Sequence, residues 1–152
     1  MNRIYKKKIG DFLKNKNIAV LGYSTDSNQP ANAIYKKLEK NGYMVFAVNP
    51  KADQITDVPC YANIKSIPEE VGAAVLCTPA DVTESAVNEC AENNIKYVWF
   101  HKGPAPNGSY DKNAFERAKE LDLEVIPGGC PLMFVKPDLF HLCFGWFQRL
   151  PE

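Results

Sequence analysis

Short apolar runs alternate with longer amphipathic segments along this 152-residue chain, and that alternation restricts its fold more than any other feature. A short apolar run without polar interruption is typical of a strand buried on both faces, as in a parallel sheet. Ile18–Leu21 is such a run, and five largely apolar segments predict strands: Ile18–Leu21, Tyr43–Val48, Gly72–Cys77, Tyr97–Phe100 and Leu123–Ile126. Helices are predicted at 2–14, between Pro30 and Gly42, at 81–94 and at 111–121.

Strands that alternate with helices form right-handed βαβ units. The sequence therefore predicts an α/β fold: a doubly wound, Rossmann-like parallel sheet of about five strands with helices on both faces. In the helix predicted at 81–94, Val82, Ala86 and Val87 fall on one face, which we expect to be buried. We assign residues 1–152 to a single domain, a length that one hydrophobic core can serve.

Two segments depart from the alternation. Residues 53–71 are irregular, and a short strand near Cys60–Tyr61 is the one element that they suggest. The last segment predicts an amphipathic helix at about 137–150, because apolar residues recur there at helical spacing: Leu139, Leu142, Cys143, Trp146, Phe147 and Leu150. Two interpretations stay open: the helix folds back onto the sheet, or part of it is a self-association surface that produces a homo-oligomer.

Composition argues against several classes of partner. Lys plus Arg equals Asp plus Glu, 18 each, so the net charge indicates neither nucleic acid nor a membrane surface. No apolar run reaches the roughly 18 residues of a membrane span. The five cysteines are an odd number without a CxxC pair, which argues against a disulfide framework or a zinc site. We expect a cytoplasmic protein.

The turn after the first strand has the form of an anion site. In doubly wound sheets, ligands bind beyond the carboxyl ends of the strands. Here the turn contains one glycine and several hydroxyls before the next helix begins, and its candidate binding residues are Gly22, Tyr23, Ser24, Thr25, Ser27 and Pro30. Backbone N–H groups at a helix N-terminus favour an anion such as a phosphate. An ordinary strand-to-helix turn without a ligand is the alternative.

The second strand ends without the acidic residue that an NAD site usually carries there. Asn49, Pro50 and Lys51 take its place, and the lysine would attract a ribose phosphate. Coenzyme A carries such a phosphate at its 3′ position and NADP at its 2′ position. After the third strand, Thr78 and Pro79 form a short corner, which proline alone would explain as a strand end.

Taken together, these loops resemble those of the small stand-alone CoA-binding domain proteins, which are similar to the N-terminal Rossmann domain of the succinyl-CoA synthetase alpha subunit. The resemblance covers roughly Asn17 to Cys130 and includes Val48-Asn49-Pro50 and Ile67-Pro68-Glu69. It implies that coenzyme A, free or as an acyl-CoA, places its pyrophosphate on the Gly22–Ser27 turn.

The resemblance also assigns the other parts of the ligand. It implies that Asn49, Pro50 and Lys51 border the 3′-phosphate, and that Thr78 and Pro79 flank the adenine or ribose. The chain departs from the family pattern at His101-Lys102-Gly103, where an amide such as glutamine is expected before the glycine.

The residues do not point clearly to catalysis. His101 follows the fourth strand, and it is a candidate for ligand binding or simply a loop histidine bonded to backbone. Cys130 follows Gly128-Gly129 after the fifth strand; its thiol is either a small half-buried group or a reactive one that could pair with the CoA thiol. We therefore expect a CoA-binding carrier, sensor or subunit. The alternative is an NADP-binding oxidoreductase or redox-sensing dinucleotide domain.

Overall fold

The structure, a computed structural model that describes residues 3–102 and 108–136, contains one parallel sheet of six strands with helices on both faces. Its strands are β1 (Asn17–Leu21), β2 (Met44–Val48), β3 (Cys60–Tyr61), β4 (Ala73–Leu76), β5 (Tyr97–Phe100) and β6 (Glu124–Ile126). Its helices are α1 (Arg3–Leu13), α2 (Pro30–Lys40), α3 (Ala80–Glu92) and α4 (Lys112–Glu120), and single 3₁₀ turns lie at Ala52–Gln54, Ile64–Ser66 and Pro131–Met133.

The strand order β3-β2-β1-β4-β5-β6 confirms the predicted doubly wound α/β fold. From β1 the chain builds outward through β2 to β3, and from β4 it builds in the other direction to β6. The order therefore reverses between β1 and β4, which pair in parallel from Ile18 opposite Ala73 to Leu21 opposite Leu76. The sheet has six strands where the sequence predicts about five, because the two-residue β3 pairs with β2 at the edge of the sheet.

Alternate residues of the central strands feed two separate cores. In β1, Ile18 and Val20 pack with α1 and α2, while Ala19 and Leu21 pack with α3 and α4. This division follows from the two-residue period of a strand. It also explains why β1 and β4 are apolar at nearly every position: each has a helical layer on both faces.

The N-terminus of α3 differs from the sequence prediction in one respect. Val82, predicted on the buried face, is exposed, and Thr83 is buried in its place. The Thr83 hydroxyl donates to the Pro79 carbonyl oxygen at 2.9 Å and lies 3.1 Å from the Thr78 hydroxyl. A hydroxyl whose hydrogen bonds are made locally can be buried at little cost, and hydropathy alone does not reveal this.

Several predictions fall where the structure gives no description. The amphipathic helix predicted at about 137–150, and with it the proposed self-association surface, lies outside the described residues. The assignment of residues 1–152 to one domain stays a prediction. Within 3–102 and 108–136, every helix is too short or too polar to cross a membrane.

Candidate functional site

A cleft of about 720 Å³ lies at the carboxyl ends of the four central strands, and we call it the carboxyl-edge cleft. Its lining comes from the loops after β1, β2, β4 and β5: Gly22, Ser24, Gln29, Pro30, Asn49, Cys77, Thr78, Pro79, Ala80, His101, Lys102, Gly108, Ser109 and Tyr110. From β2 to β5 there are three inter-strand steps, so the cleft is roughly 14 Å long. It includes the point of strand reversal, where sheets of this type bind ligands.

Gly22 closes the first turn against both neighbouring strands. Its φ of +96° lies in the region that favours glycine. A Cβ at this position would lie 2.7 Å from the Cys77 carbonyl oxygen, and the Gly22 N–H donates to the Val48 carbonyl oxygen at 2.9 Å. The single glycine of this turn is therefore required by chain packing between β2 and β4, whether or not a phosphate is bound.

Asn32, a buried residue of α2, fixes the conformation of the same turn. Its side-chain oxygen accepts from the Ser24 N–H at 3.0 Å, and its side-chain nitrogen donates to the Ser24 carbonyl oxygen at 2.7 Å. Sequence reasoning missed Asn32. The available signal was an asparagine within the first helical turn, where its side chain favours bonding to nearby backbone.

The turn also carries its own negative charge. Asp26 accepts from the Asn28 N–H at 3.0 Å and from the Gln29 side-chain amide at 3.1 Å. The Asn28 N–H bond holds the pKa of Asp26 below its usual range, so this carboxylate is ionised at neutral pH. Among the described residues, the backbone N–H groups of Thr25 and Ser27 have no acceptor, and both residues are exposed.

Asn49 ties the end of β2 to the first turn. Its side-chain nitrogen donates to the Tyr23 carbonyl oxygen at 2.6 Å, and its side-chain oxygen accepts from the Lys51 N–H at 2.8 Å. The Tyr23 ring points away from the cleft: it is buried against Tyr35, and its hydroxyl donates to Asp57 at 2.7 Å. Only the backbone of Tyr23 is therefore available on the cleft side.

Two helix N-termini meet at the carboxyl-edge cleft. Pro30, the first residue of α2, and Ala80, the first residue of α3, both line it. Each helix presents the positive end of its dipole and backbone N–H groups that have no partner within the helix. The helix predicted at 81–94 locates the second of these N-termini to within one residue, but its contribution to an anion site was not predicted.

His101 lies at the β5 end of the cleft and is only 5% exposed. Burial lowers the pKa of its imidazole to about 4, so the ring is neutral at physiological pH. Among the described residues, none forms a hydrogen bond with the imidazole. Its backbone is fixed, because the His101 N–H donates to Leu76 at 3.0 Å and its carbonyl oxygen accepts from the Ser109 N–H at 2.9 Å.

Ser109 completes this end of the site, and sequence reasoning missed it. Its buried hydroxyl lies 2.6 Å from the Leu76 carbonyl oxygen and 3.0 Å from the His101 carbonyl oxygen. The preceding Gly108 leaves space for this return of the chain, since a Cβ there would lie 3.0 Å from the His101 carbonyl oxygen. A serine within a proline-rich loop gives no local signal of such long-range contacts.

The structure brings together about half of the residues predicted for the site. Seven of them line the cleft: Gly22, Ser24, Pro30, Asn49, Thr78, Pro79 and His101. Six do not: Tyr23, Thr25, Ser27, Pro50, Lys51 and Cys130. Burial raises the pKa of the Cys130 thiol to about 11 and that of Cys77 further, so neither thiol is activated at neutral pH.

A second cavity of about 840 Å³ lies at the opposite edge of the sheet, and we call it the amino-edge cavity. It is lined by Asn15, Lys16, Asn17, Ile64, Lys65, Ile67, Pro68, Glu69, Glu70, Val71, Gly72, Asn93 and Asn94. Two lysines and two glutamates balance in charge there. The helix ends beside it are the C-termini of α1 and α3, which carry the negative ends of the helix dipoles.

A parallel sheet whose order reverses beside a glycine turn and two helix N-termini defines a Rossmann-type ligand-binding domain. The model of the CoA-binding domain family matches residues 16–136. The chain belongs to this family, and the match confirms the resemblance that the strand-end loops indicate.

Known relatives agree with this assignment. The chain is 37% identical over 135 residues to acetate–CoA ligase (ADP-forming) I of Archaeoglobus fulgidus, which covers 86% of this chain and 18% of that protein. It is 32% identical over 125 residues to the alpha subunit of acetate–CoA ligase (ADP-forming) II of Pyrococcus furiosus, which covers 78% of this chain and 27% of that one. The chain thus spans about a fifth of the length of the Archaeoglobus ligases that it matches.

The fold is shared with solved structures as well. A hypothetical protein from Pyrococcus horikoshii OT3 superposes with a TM-score of 0.74 at 26% identity, covering 84% of this chain and 87% of that one. The chain is therefore a CoA-binding domain that is homologous to part of the ADP-forming acetate–CoA ligases.

Proposed function

We propose that this protein binds coenzyme A or an acyl-CoA in the carboxyl-edge cleft and holds it without transforming it, as a carrier, sensor or subunit. The observation that carries the proposal is the convergence of the Gly22 turn with the N-termini of α2 and α3 in one cleft at the strand reversal. A pyrophosphate is the part of the ligand that such a concentration of N–H groups and positive dipole ends favours.

The two ends of the ligand are assigned by position along the cleft. The 3′-phosphate lies on the β2 side, where Lys51 is an exposed cation whose N–H is held by Asn49. Its side chain is free to turn toward the phosphate, because exposed lysines change rotamer easily. Thr78 and Pro79 border the ribose or adenine. His101 and Ser109 border the opposite end of the ligand, at β5.

A binding role without catalysis is supported by the state of the reactive side chains. Burial leaves the thiols of Cys77 and Cys130 protonated at neutral pH. The imidazole of His101 is neutral and, among the described residues, has neither a nucleophile nor a carboxylate within hydrogen-bonding distance. Nucleophilic catalysis needs a nucleophile and a base in contact, with the base oriented by a third group.

The proposal is tested by calorimetric titration with CoA, acetyl-CoA, dephospho-CoA, ADP and NADP. We expect micromolar or tighter binding of CoA, weaker binding of dephospho-CoA and no preference for NADP. Thermal unfolding provides a second measurement: a ligand at about 100 times its dissociation constant stabilises the fold by roughly 2.7 kcal/mol, which raises Tm by several degrees.

Lys51→Glu identifies the 3′-phosphate contact. This change should weaken CoA about tenfold and leave dephospho-CoA nearly unchanged, since it reverses one charge near one phosphate. Lys65→Glu is the matched control, because it makes the same change at the amino-edge cavity. Lys51 would lose this role if Lys51→Glu weakened CoA and dephospho-CoA equally, or if Lys65→Glu weakened CoA as much as Lys51→Glu does. Retention of NADP in preference to CoA would replace the proposal with a dinucleotide function.

A further inference from the structure

One hydrogen bond joins two loops that lie 34 residues apart in the sequence, and both belong to the nucleotide side of the cleft. The Tyr23 hydroxyl donates to a carboxylate oxygen of Asp57 at 2.7 Å. Tyr23 belongs to the first turn, and Asp57 lies in the segment between the 3₁₀ turn Ala52–Gln54 and β3. The ring of Tyr23 is buried, whereas Asp57 is exposed. The bond therefore fixes a surface loop to a rigid interior group.

The ring of Tyr23 is held from three directions. It meets Tyr35 of α2 edge-on, with ring centroids 5.3 Å apart and planes at 73°. Ala47 of β2 and Ile55 of the loop complete the small apolar cluster around it. Burial raises the pKa of Tyr23 above its usual value, and the bond to Asp57 raises it further, so the phenol keeps the proton that it donates.

Tyr23 also holds the other end of the same loop through its backbone. Its carbonyl oxygen accepts from the Asn49 side chain at 2.6 Å, and Asn49 in turn accepts from the Lys51 N–H at 2.8 Å. Residues 49–57, the segment that carries Lys51, are thus fixed to Tyr23 at their first and last residues. This arrangement determines where the exposed Lys51 stands relative to the Gly22–Ser27 turn.

We infer that Tyr23 and Asp57 are positioning residues for recognition of the 3′-phosphate of bound CoA, acting through the loop that carries Lys51. The inference rests on the proposed function. Because the loop is already ordered by the hydroxyl and carbonyl of Tyr23, less conformational freedom is lost when Lys51 meets the phosphate. Neither side chain lines the cleft: the ring of Tyr23 faces the interior, and Asp57 lies outside the lining residues.

The measured quantity is the ratio of the dissociation constants of dephospho-CoA and CoA, determined by calorimetric titration of the full chain. Tyr23→Phe and Asp57→Ala each break the hydrogen bond, and we expect each to lower this ratio about threefold to tenfold. Binding of dephospho-CoA itself should change little. Asp57→Asn should keep the ratio of the parent protein, because its amide oxygen still accepts from the phenol.

Tyr43→Phe is the matched control for a general loss of stability. Tyr43 is a partly buried tyrosine far from the Lys51 loop, and its hydroxyl likewise donates one hydrogen bond, to the Leu13 carbonyl oxygen at 3.1 Å. The Tyr43→Phe variant should leave the ratio of dissociation constants unchanged. Tm is recorded for each variant. If Tyr23→Phe folds poorly, the comparison of Asp57→Ala with Asp57→Asn still tests the inference, because Asp57 is exposed.

The outcomes separate the inference from the proposed function. A parent protein that binds CoA tighter than dephospho-CoA, with the same ratio in Tyr23→Phe and Asp57→Ala, overturns the inference and keeps the function. The inference is also overturned if Asp57→Asn lowers the ratio of dissociation constants as much as Asp57→Ala does, or if Tyr43→Phe lowers it as much as Tyr23→Phe does. A parent protein that does not bind CoA overturns both.

Discussion

The two cavities at opposite edges of the sheet differ in a way that volume does not reveal. The amino-edge cavity is the larger, about 840 Å³ against about 720 Å³ for the carboxyl-edge cleft. Yet helix C-termini border the first, and helix N-termini with a glycine turn border the second. For an anionic ligand, the direction of the backbone dipoles outweighs the size of the space. Paired changes at the two edges test this contrast.

The largest difference in the free energy of unfolding is expected between substitutions of two glycines, Gly22 at the carboxyl-edge cleft and Gly72 at the amino-edge cavity. Gly22→Ala should reduce the free energy of unfolding by about 3 to 5 kcal/mol, because its φ is positive and its Cβ would strike the backbone of Cys77. Gly72→Ala should cost less, about 1 to 2 kcal/mol, because its Cβ would meet the end of the Asn15 side chain, which can shift by giving up its bonds to the Asp11 and Phe12 carbonyl oxygens. Urea denaturation measures both; similar losses would show that backbone contact at Gly22 is not special.

A smaller difference concerns pH. The pKa of His101 is about 4 in the folded chain, below its ordinary value of 6.5, so the unfolded chain binds more protons between these values. Stability therefore falls as pH drops from about 6.5 toward 4. The contribution of His101 to this loss between pH 7 and 4.5 should be roughly 2 to 3 kcal/mol.

His101→Gln isolates the contribution of the imidazole, since glutamine is polar but does not titrate. Every other ionisable residue is the same in both proteins, so the difference between the two stability curves belongs to His101. We expect the curves, measured by urea denaturation at intervals of pH, to diverge below pH 6.5 with the parent protein losing more. Parallel curves would show that the imidazole reaches water in the folded state.

The smallest difference in stability is expected between two asparagines near helix ends, Asn32 in the first turn of α2 and Asn93 at the C-cap of α3. Asn32→Ala removes both bonds to Ser24 from a buried position and should cost about 2 kcal/mol. Asn93→Ala removes one bond to the Glu89 carbonyl oxygen at the half-exposed end of α3 and should cost about 0.5 kcal/mol. Thermal unfolding followed by circular dichroism measures both, and a cost at Asn93 equal to that at Asn32 would contradict the greater constraint on the first turn.

Much of the fold could be predicted because it follows from local periodicity. The runs around Val20 and Val75 have no polar interruption, which indicates strands that are covered on both faces. Because these strands alternate with helices, the sheet is predicted to be parallel. The short strand suggested near Cys60–Tyr61 is β3, but its place in the sheet was not predicted. A strand of two residues is stabilised by its pairing with β2, so its own sequence does not show that it adds a sixth strand.

The candidate site was predicted less completely, because its residues act through long-range contacts. The first turn, Asn49 and Thr78 could be located, since strand ends are visible in the sequence. Ser109 could not, since its partners, Leu76 in β4 and His101 after β5, come together only when these two strands pair. Tyr23 was predicted as a ligand contact. Its aromatic ring is instead buried against Tyr35 beneath the turn, a contact between the first turn and α2 that no local pattern shows.

The meeting of two helix N-termini in a chain of zero net charge has a kinetic consequence. At an N-terminus the helix dipole acts within the first turn, and salt screens exposed charges beyond about 8 to 10 Å. A neutral chain of this kind exerts little long-range attraction on an anion in solution. The rate at which CoA arrives should therefore depend only weakly on ionic strength, and selection between ligands takes place after encounter, through the rate at which each one leaves.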